Sequence, residues 1–175
     1  METRVCKIYG GYPRMIILSM DLSLSSPAFA VLEVKPKELN VIHLSHIKTA
    51  SKKSHGYRLF QIYNHLKEIL EEYGDRISYV ISEKGFSRHQ RTTQILFMVH
   101  GVSRMLCYQY GFEVIEITPT TVKKHVAGNG KASKEQVADA VQGFISHYVL
   151  FKNDDESDSV AVGVAYLVDN GLLKS

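Results

Sequence analysis

The most constraining feature of this chain is the run over residues 15–20, Met-Ile-Ile-Leu-Ser-Met, which is continuously apolar and stops at Asp21. A run of that length reads as a strand buried in a sheet, far short of the ~18 residues that a membrane span needs. Two β-rich segments follow over 27–34 and 39–47, and Lys35-Pro36-Lys37 between them suits a turn joining antiparallel strands. Between residues 56 and 73, Leu59, Tyr63, Leu66, Leu70 and Tyr73 recur at helical spacing, with Gly74 as the stop. A fourth strand is expected over 77–82, ending at Glu83, and a fifth over 112–117. The intervening stretch, 92–110, is a long helix with two apolar stripes: Ile95, Val99, Val102 and Leu106 on one, Met98, Gly101, Met105 and Tyr108 on the next. So wide an arc means either a deeply buried helix or one whose second stripe meets another subunit.

Thr118 with Pro119 opens a further helix, and Ser133 with Gln136 forms a capping box for another, expected to reach about His147. A last helix is expected from about Asp155 to Val168. The order β-β-β-α-β-α-β-α-α-α describes an α/β fold, a mixed sheet covered by helices. At 175 residues the chain is the size of one domain, read as a polar arm over 1–14 followed by a single unit over 15–175. Cys6 and Cys107 are too few and too far apart for a disulfide framework, and the N-terminal residues have no signal-peptide pattern. The expected compartment is therefore the reducing cytoplasm, with no membrane partner. The net charge of +3 only mildly favours an anionic partner.

Carboxylates stand where strand ends build sites: Asp21 and Glu83 each terminate an apolar strand. The acidic run at 154–158 opens the last helix, and Asp155 and Asp158, three apart, share one of its faces. If the first and fourth strands are neighbours these groups converge, and their mutual repulsion calls for a divalent cation, Mg²⁺ or Mn²⁺ by the all-oxygen donor set. Taken singly, each acid is an ordinary turn residue or a complement to the helix dipole. Residues 120–134 carry Lys123, Lys124, Lys131 and Lys134 without an acid, around a flexible Gly128-Asn129-Gly130 turn that lacks P-loop spacing. A second basic stretch holds Lys84, Arg88 and Arg91 around Phe86, a combination suited to stacking on unpaired bases or to a plain solvated loop. His43 and His46, three apart on a strand, point to opposite faces and make a poor metal pair. His100 and Cys107 read as packing residues, and His125 falls in the basic segment.

Four blocks in order, ILSMDLSLSSPAFAVLEV, VISEKGF, TPTTVKKHVAGNGKASKEQV and DDESDSVAVGVAYL, resemble the RuvC family of Holliday junction resolvases within the ribonuclease H-like superfamily. The resemblance implies a ribonuclease H-like mixed five-stranded sheet with helices on both faces. It also implies catalytic and metal-ligating roles for Asp21, Glu83, Asp155 and Asp158, two Mg²⁺ per site with Mn²⁺ able to substitute, and active-site lysines at Lys123 and Lys134. Phe86 matches the family's stacking aromatic, and Lys84, Arg88, Arg91, Lys124 and Lys131 become expected DNA contacts. The implied activity is paired nicking of four-way or branched DNA by a homodimer, with the second stripe of the 92–110 helix as its interface. Where bacterial members usually have a glycine-rich D-P-G turn this chain has Asp21-Leu22-Ser23, which points to a divergent, phage or mobile-element branch. The setting would be the nucleoid in a bacterium, or the host cytoplasm for a phage. Two other readings remain open on sequence: a branched-DNA binding module without catalysis, and a cleaver of RNA-DNA hybrids. An actin-like phosphotransferase would need two lobes, for which the chain is too short.

Overall fold

A computed structural model of the chain describes residues 7–9, 12–85 and 90–174. The elements in order are β1 (Lys7–Tyr9), β2 (Tyr12–Asp21), β3 (Ala28–Lys35), β4 (Glu38–His46), α1 (His55–Tyr73), β5 (Ile77–Glu83), α2 (Gln90–Gln109), β6 (Val114–Ile117), α3 (Pro119–Ala127), α4 (Lys134–Gln142) and α5 (Asp154–Asp169). The main sheet runs β4-β3-β2-β5-β6, and β1 pairs back onto the start of β2. The expected polar arm thus supplies a short strand and the first residues of β2. β2 is antiparallel to β3 but parallel to β5, and β5 is parallel to β6, so the sheet is mixed and the two acid-terminated strands are neighbours.

The continuous apolar run of β2 is explained by burial on both faces. Ile16, Leu18 and Met20 face a core with Phe29, Val31, Val80 and residues of α1 and α2. Met15 and Ile17 face a second core with Ala30, Leu32, Ile81 and residues of α3, α4 and α5. Side chains alternate along a strand, so the odd-numbered Asp21 and Glu83 lie on the α5 side. Met20 is the register partner of Ser82, which sets Asp21 and Glu83 side by side where the two strands end.

α5 is buried almost all round, and Gly163 brings it against the sheet: a Cβ there would sit 2.4 Å from Leu32 Cδ1 and 2.8 Å from Ser19 Oγ.

One boundary departs clearly from expectation. α4 stops at Gln142 instead of running to about His147. The Gln142 amide binds both the backbone N–H and the C=O of Val149, while the N–H of Ser146 donates to Leu39 O at 2.9 Å and its Oγ accepts from Leu39 N at 2.9 Å. Those tertiary bonds replace the helical ones and tie the segment to the start of β4. α2 starts two residues earlier than expected, and β6 starts two later. Phe112 is withdrawn from β6 because its N–H closes the end of α2 on Cys107 O at 2.9 Å, past Gly111 with φ of 81°.

Candidate active site

β2 and β5 deliver Asp21 and Glu83 to one end of the sheet, where these two neighbouring strands stop, and α5 brings its first turn to the same place. The rotation of that turn is fixed from within. Asn153 caps the helix by accepting from Glu156 N at 3.0 Å. The Glu156 side chain points inward, only 2% exposed; its Oε1 meets His46 Nδ1 at 2.8 Å and its Oε2 accepts from Lys152 N at 2.8 Å. With Glu156 turned to the core, Asp155 and Asp158 are half-buried toward Asp21. His43, on the other face of β4, lies instead against the Tyr73 ring at 5.5 Å and bonds Ser45 Oγ at 2.8 Å.

The electrostatics show how closely these groups share one space. Burial pushes the Asp21 carboxyl up from 3.8 to about 8, reinforced by the negative charges of Glu83, Asp158 and Asp155, with Lys134 the one opposing influence. Glu83 rises from 4.5 to about 7, again first through burial and then through Asp158, against Lys134 and Lys123. The Lys134 ammonium donates to Asp158 Oδ2 at 2.9 Å, and that bond holds its pKa above the ordinary lysine value.

Among the described residues no three carboxylate, imidazole or thiol side chains close into a ready-made metal cage. The donor set nevertheless fits a hard divalent cation: four carboxylates, two of which, Asp21 and Glu83, are pushed toward the neutral form first by burial and then by the neighbouring negative charges.

The lysines come from two short helices. Thr118 caps α3 by accepting from Thr121 N, and α3 ends on Gly128 with φ of 71°, a left-handed position suited to glycine. Gly130 packs on Thr120, where a Cβ would be 2.9 Å from Cγ2, and Ser133 and Gln136 complete the capping box of α4. Lys123 thereby reaches the neighbourhood of Glu83 and Lys134 that of Asp158, while Lys124 and Lys131 are exposed on the outside. His125 turns away to pair with Asp169 at 2.9 Å.

Lys84 and Arg91 are also exposed; Phe86 and Arg88 lie outside the described residues. The loop after Glu83 is anchored by Lys84 N donating to Ile117 O at 2.8 Å and by Gly85, whose missing Cβ leaves room for His100.

Sequence reasoning passed over Glu156, taken only as part of an acidic run, and the brace beneath Asp21. In that brace Thr49 Oγ1 donates to Leu24 O at 2.6 Å, and Arg58 Nε donates to Thr49 Oγ1 at 2.8 Å. Burial of Leu22 and Leu24 replaces the flexibility of a glycine-rich turn.

On α2, Val99, Leu106 and Cys107 face the core, whereas Phe97 (64%), Met105 (56%) and Tyr108 (65%) are exposed around Gly101. The helix is therefore not deeply buried.

A mixed sheet with helices on both faces, gathering carboxylates from two adjacent strand ends and one helix start, defines a protein of the ribonuclease H-like class. The family model described as crossover junction endodeoxyribonuclease RuvC matches residues 17–166. The chain belongs to that RuvC family. It is 28% identical to the crossover junction endodeoxyribonuclease RuvC of Caldanaerobacter subterraneus subsp. tengcongensis over 91% of this chain and 96% of that one. With the RuvC of Rickettsia rickettsii it is 32% identical over 88% of this chain and 98% of that one. Among solved structures it is similar in fold to T. thermophilus RuvC in complex with Holliday junction substrate, with a TM-score of 0.80 at 22% identity, covering 91% of this chain and 98% of that one.

Proposed function

We propose that this protein is a metal-dependent, structure-specific endonuclease that resolves Holliday junctions and other branched DNA by paired nicks, in recombination and repair. The observation that carries this reading is the single electrostatic cluster of Asp21, Glu83, Asp155 and Asp158 with Lys134 and Lys123 where β2 and β5 end. Its family membership agrees with it.

Asp21, Glu83, Asp155 and Asp158 would hold two Mg²⁺, for which Mn²⁺ would substitute. Bound there, the ions supply an activated water and charge neutralisation at the leaving 3′ oxygen. Lys134 stabilises the charge that builds on the scissile phosphate, and Lys123 positions the strand beside Glu83. Lys84, Arg91, Lys124 and Lys131, with Arg88, contact phosphates around the branch point, where Phe86 stacks on an unpaired base.

Two symmetric cuts require two sites, and a C₂ dimer supplies them. The exposed apolar seam of α2 supports that assembly. No helix among the described residues is long and apolar enough to cross a membrane. The proposed setting is the cytoplasm, at the nucleoid in a bacterium or in the host cytoplasm for a phage.

The test is incubation with a labelled synthetic four-way junction in Mg²⁺ or EDTA, with the cuts mapped. Symmetric nicks that vanish with EDTA are expected. Equal or faster cleavage of an RNA-DNA hybrid, or binding without any nick in Mg²⁺, would overturn the reading.

A further inference from the structure

Between Glu38 and Glu68 the sequence has no acid, yet it contains Lys48, Lys52, Lys53 and His55 within eight residues. All four are exposed, and none pairs with a carboxylate among the described residues. They occupy the connection from β4 to α1. Lys53 lies over the ring of Tyr57 at 5.9 Å, and Tyr57 is itself 49% exposed.

Sheet register fixes where this surface lies relative to the carboxylates. Asp21, Ala28 and His46 are successive partners across β2, β3 and β4. At ~4.8 Å between strands, Asp21 and His46 are roughly 10 Å apart. Lys48 follows His46 by two residues. Glu83 and Lys123 lie on the other side of Asp21, toward β5 and β6.

The connection is built as a platform. Thr49 is buried and bonds the loop after Asp21 twice, Thr49 N to Ser25 O at 2.9 Å and Thr49 Oγ1 to Leu24 O at 2.6 Å. Ala50 N donates to Gln61 Oε1 at 3.1 Å, and Arg58 is spent on Thr49 and Leu24 O. Its backbone is thus held in place while, among the described residues, its lysines pair with no carboxylate, which lowers the ordering cost of binding a ligand.

We propose that Lys48, Lys52, Lys53, His55 and Tyr57 form a second DNA-binding surface that grips the phosphate backbone of one duplex arm, on the opposite side of Asp21 from the α3 and α4 lysines. The inference rests on the reading of the protein as a branched-DNA nuclease. A substrate whose arms diverge from the cut presents phosphates on both flanks of the scissile bond, and the β5–β6 side serves only one of them. A cluster of cations with no acid among them complements a polyanion. Their platform is shared with the Asp21 loop, so an arm held here is in register with the carboxylates.

The experiment compares wild type with the triple variant Lys48→Gln, Lys52→Gln, Lys53→Gln. Junction affinity is measured by anisotropy in EDTA from about 50 to about 300 mM salt, together with single-turnover cleavage in Mg²⁺ at saturating protein. Each lost phosphate contact lowers the slope of log affinity against log salt by ~0.9, so the triple variant should lose about 2 to 3 in slope. Its saturated cleavage rate should fall as well, because the arm is no longer held in register with the carboxylates, and the matching triple Lys→Arg variant should keep the wild-type slope and rate.

A wild-type slope in the Gln variant would overturn the proposal and leave the patch to an acidic protein surface. An equal loss in the distant pair Lys37→Gln, Lys174→Gln would overturn it too, by showing an effect of net charge alone. If wild type itself neither binds nor nicks the junction, it is the nuclease reading that fails, and the arm-binding surface falls with it.

Discussion

Replacing Asp21 by asparagine should make the metal-free protein more stable while abolishing cleavage. The folded carboxyl titrates near 8 instead of 3.8, because burial and three neighbouring acids oppose its charge. An unfolded chain releases that proton near 3.8. Between the two values the folded state binds more protons, so the contribution of this group to stability is fully present below 3.8 and is lost as the pH rises toward 8. At 1.36 kcal/mol per unit the penalty is roughly 4 kcal/mol at pH 7, roughly 1 to 2 at pH 5, and vanishes below 3.8. Asparagine has nearly the same shape and no charge, so Asp21→Asn escapes the penalty at every pH.

Urea unfolding in EDTA at pH 5 and pH 7 reads the difference directly. The variant should be the more stable of the two, with a margin that widens by roughly 2 to 3 kcal/mol from the lower pH to the higher. Adding Mg²⁺ should then stabilise wild type by about 2.7 kcal/mol at a hundred times its dissociation constant, and the variant by less. Junction nicking by the variant should be absent while junction binding persists. A variant less stable than wild type in EDTA at pH 7, or a margin independent of pH, would refute the argument that burial and neighbouring negative charge hold the Asp21 carboxyl toward its neutral form.

Three further outcomes are expected. Gly163→Ala forces a methyl against Leu32 and Ser19 and should cost about 1 to 3 kcal/mol in denaturant unfolding, without touching the carboxylates. His46→Ala strips a partner from the buried Glu156 carboxylate, and should cost about 1 to 3 kcal/mol at neutral pH by the same measurement. Met105→Glu sets a charge in the exposed seam of α2; sedimentation should show a folded monomer where wild type sediments as a dimer, and a dimeric variant would move the interface elsewhere.

What the sequence revealed was set by how local each determinant is. The apolar run of β2, the capping residues Thr118 and Ser133, and the acid-ended strands act through near neighbours, so pattern alone located them. Spacing also put Asp155 and Asp158 on one helix face, and the helix is there. The end of α4 was not legible, because it is decided by the amide of Gln142 holding Val149 and by Ser146 meeting Leu39, more than 100 residues away. Glu156 was hidden for a similar reason: only the folded sheet brings His46 to it, across 110 residues of chain. The lysines before α1 could have been noticed from the missing acids between Glu38 and Glu68. Their relation to Asp21 required the register of β3 and β4.

The four acids are distributed along the chain so that Asp21 and Glu83 are synthesised well before Asp155 and Asp158, which sit on a helix that also fills one of the two cores. On the proposed assignment, a growing chain emerging from the ribosome therefore carries half of the metal-binding carboxylates but cannot assemble the rest until α5 has been made and packed. The same holds for a molecule clipped before residue 154. If these acids do the cutting, order of synthesis acts as a safety catch, coupling the power to break DNA to the making of α5.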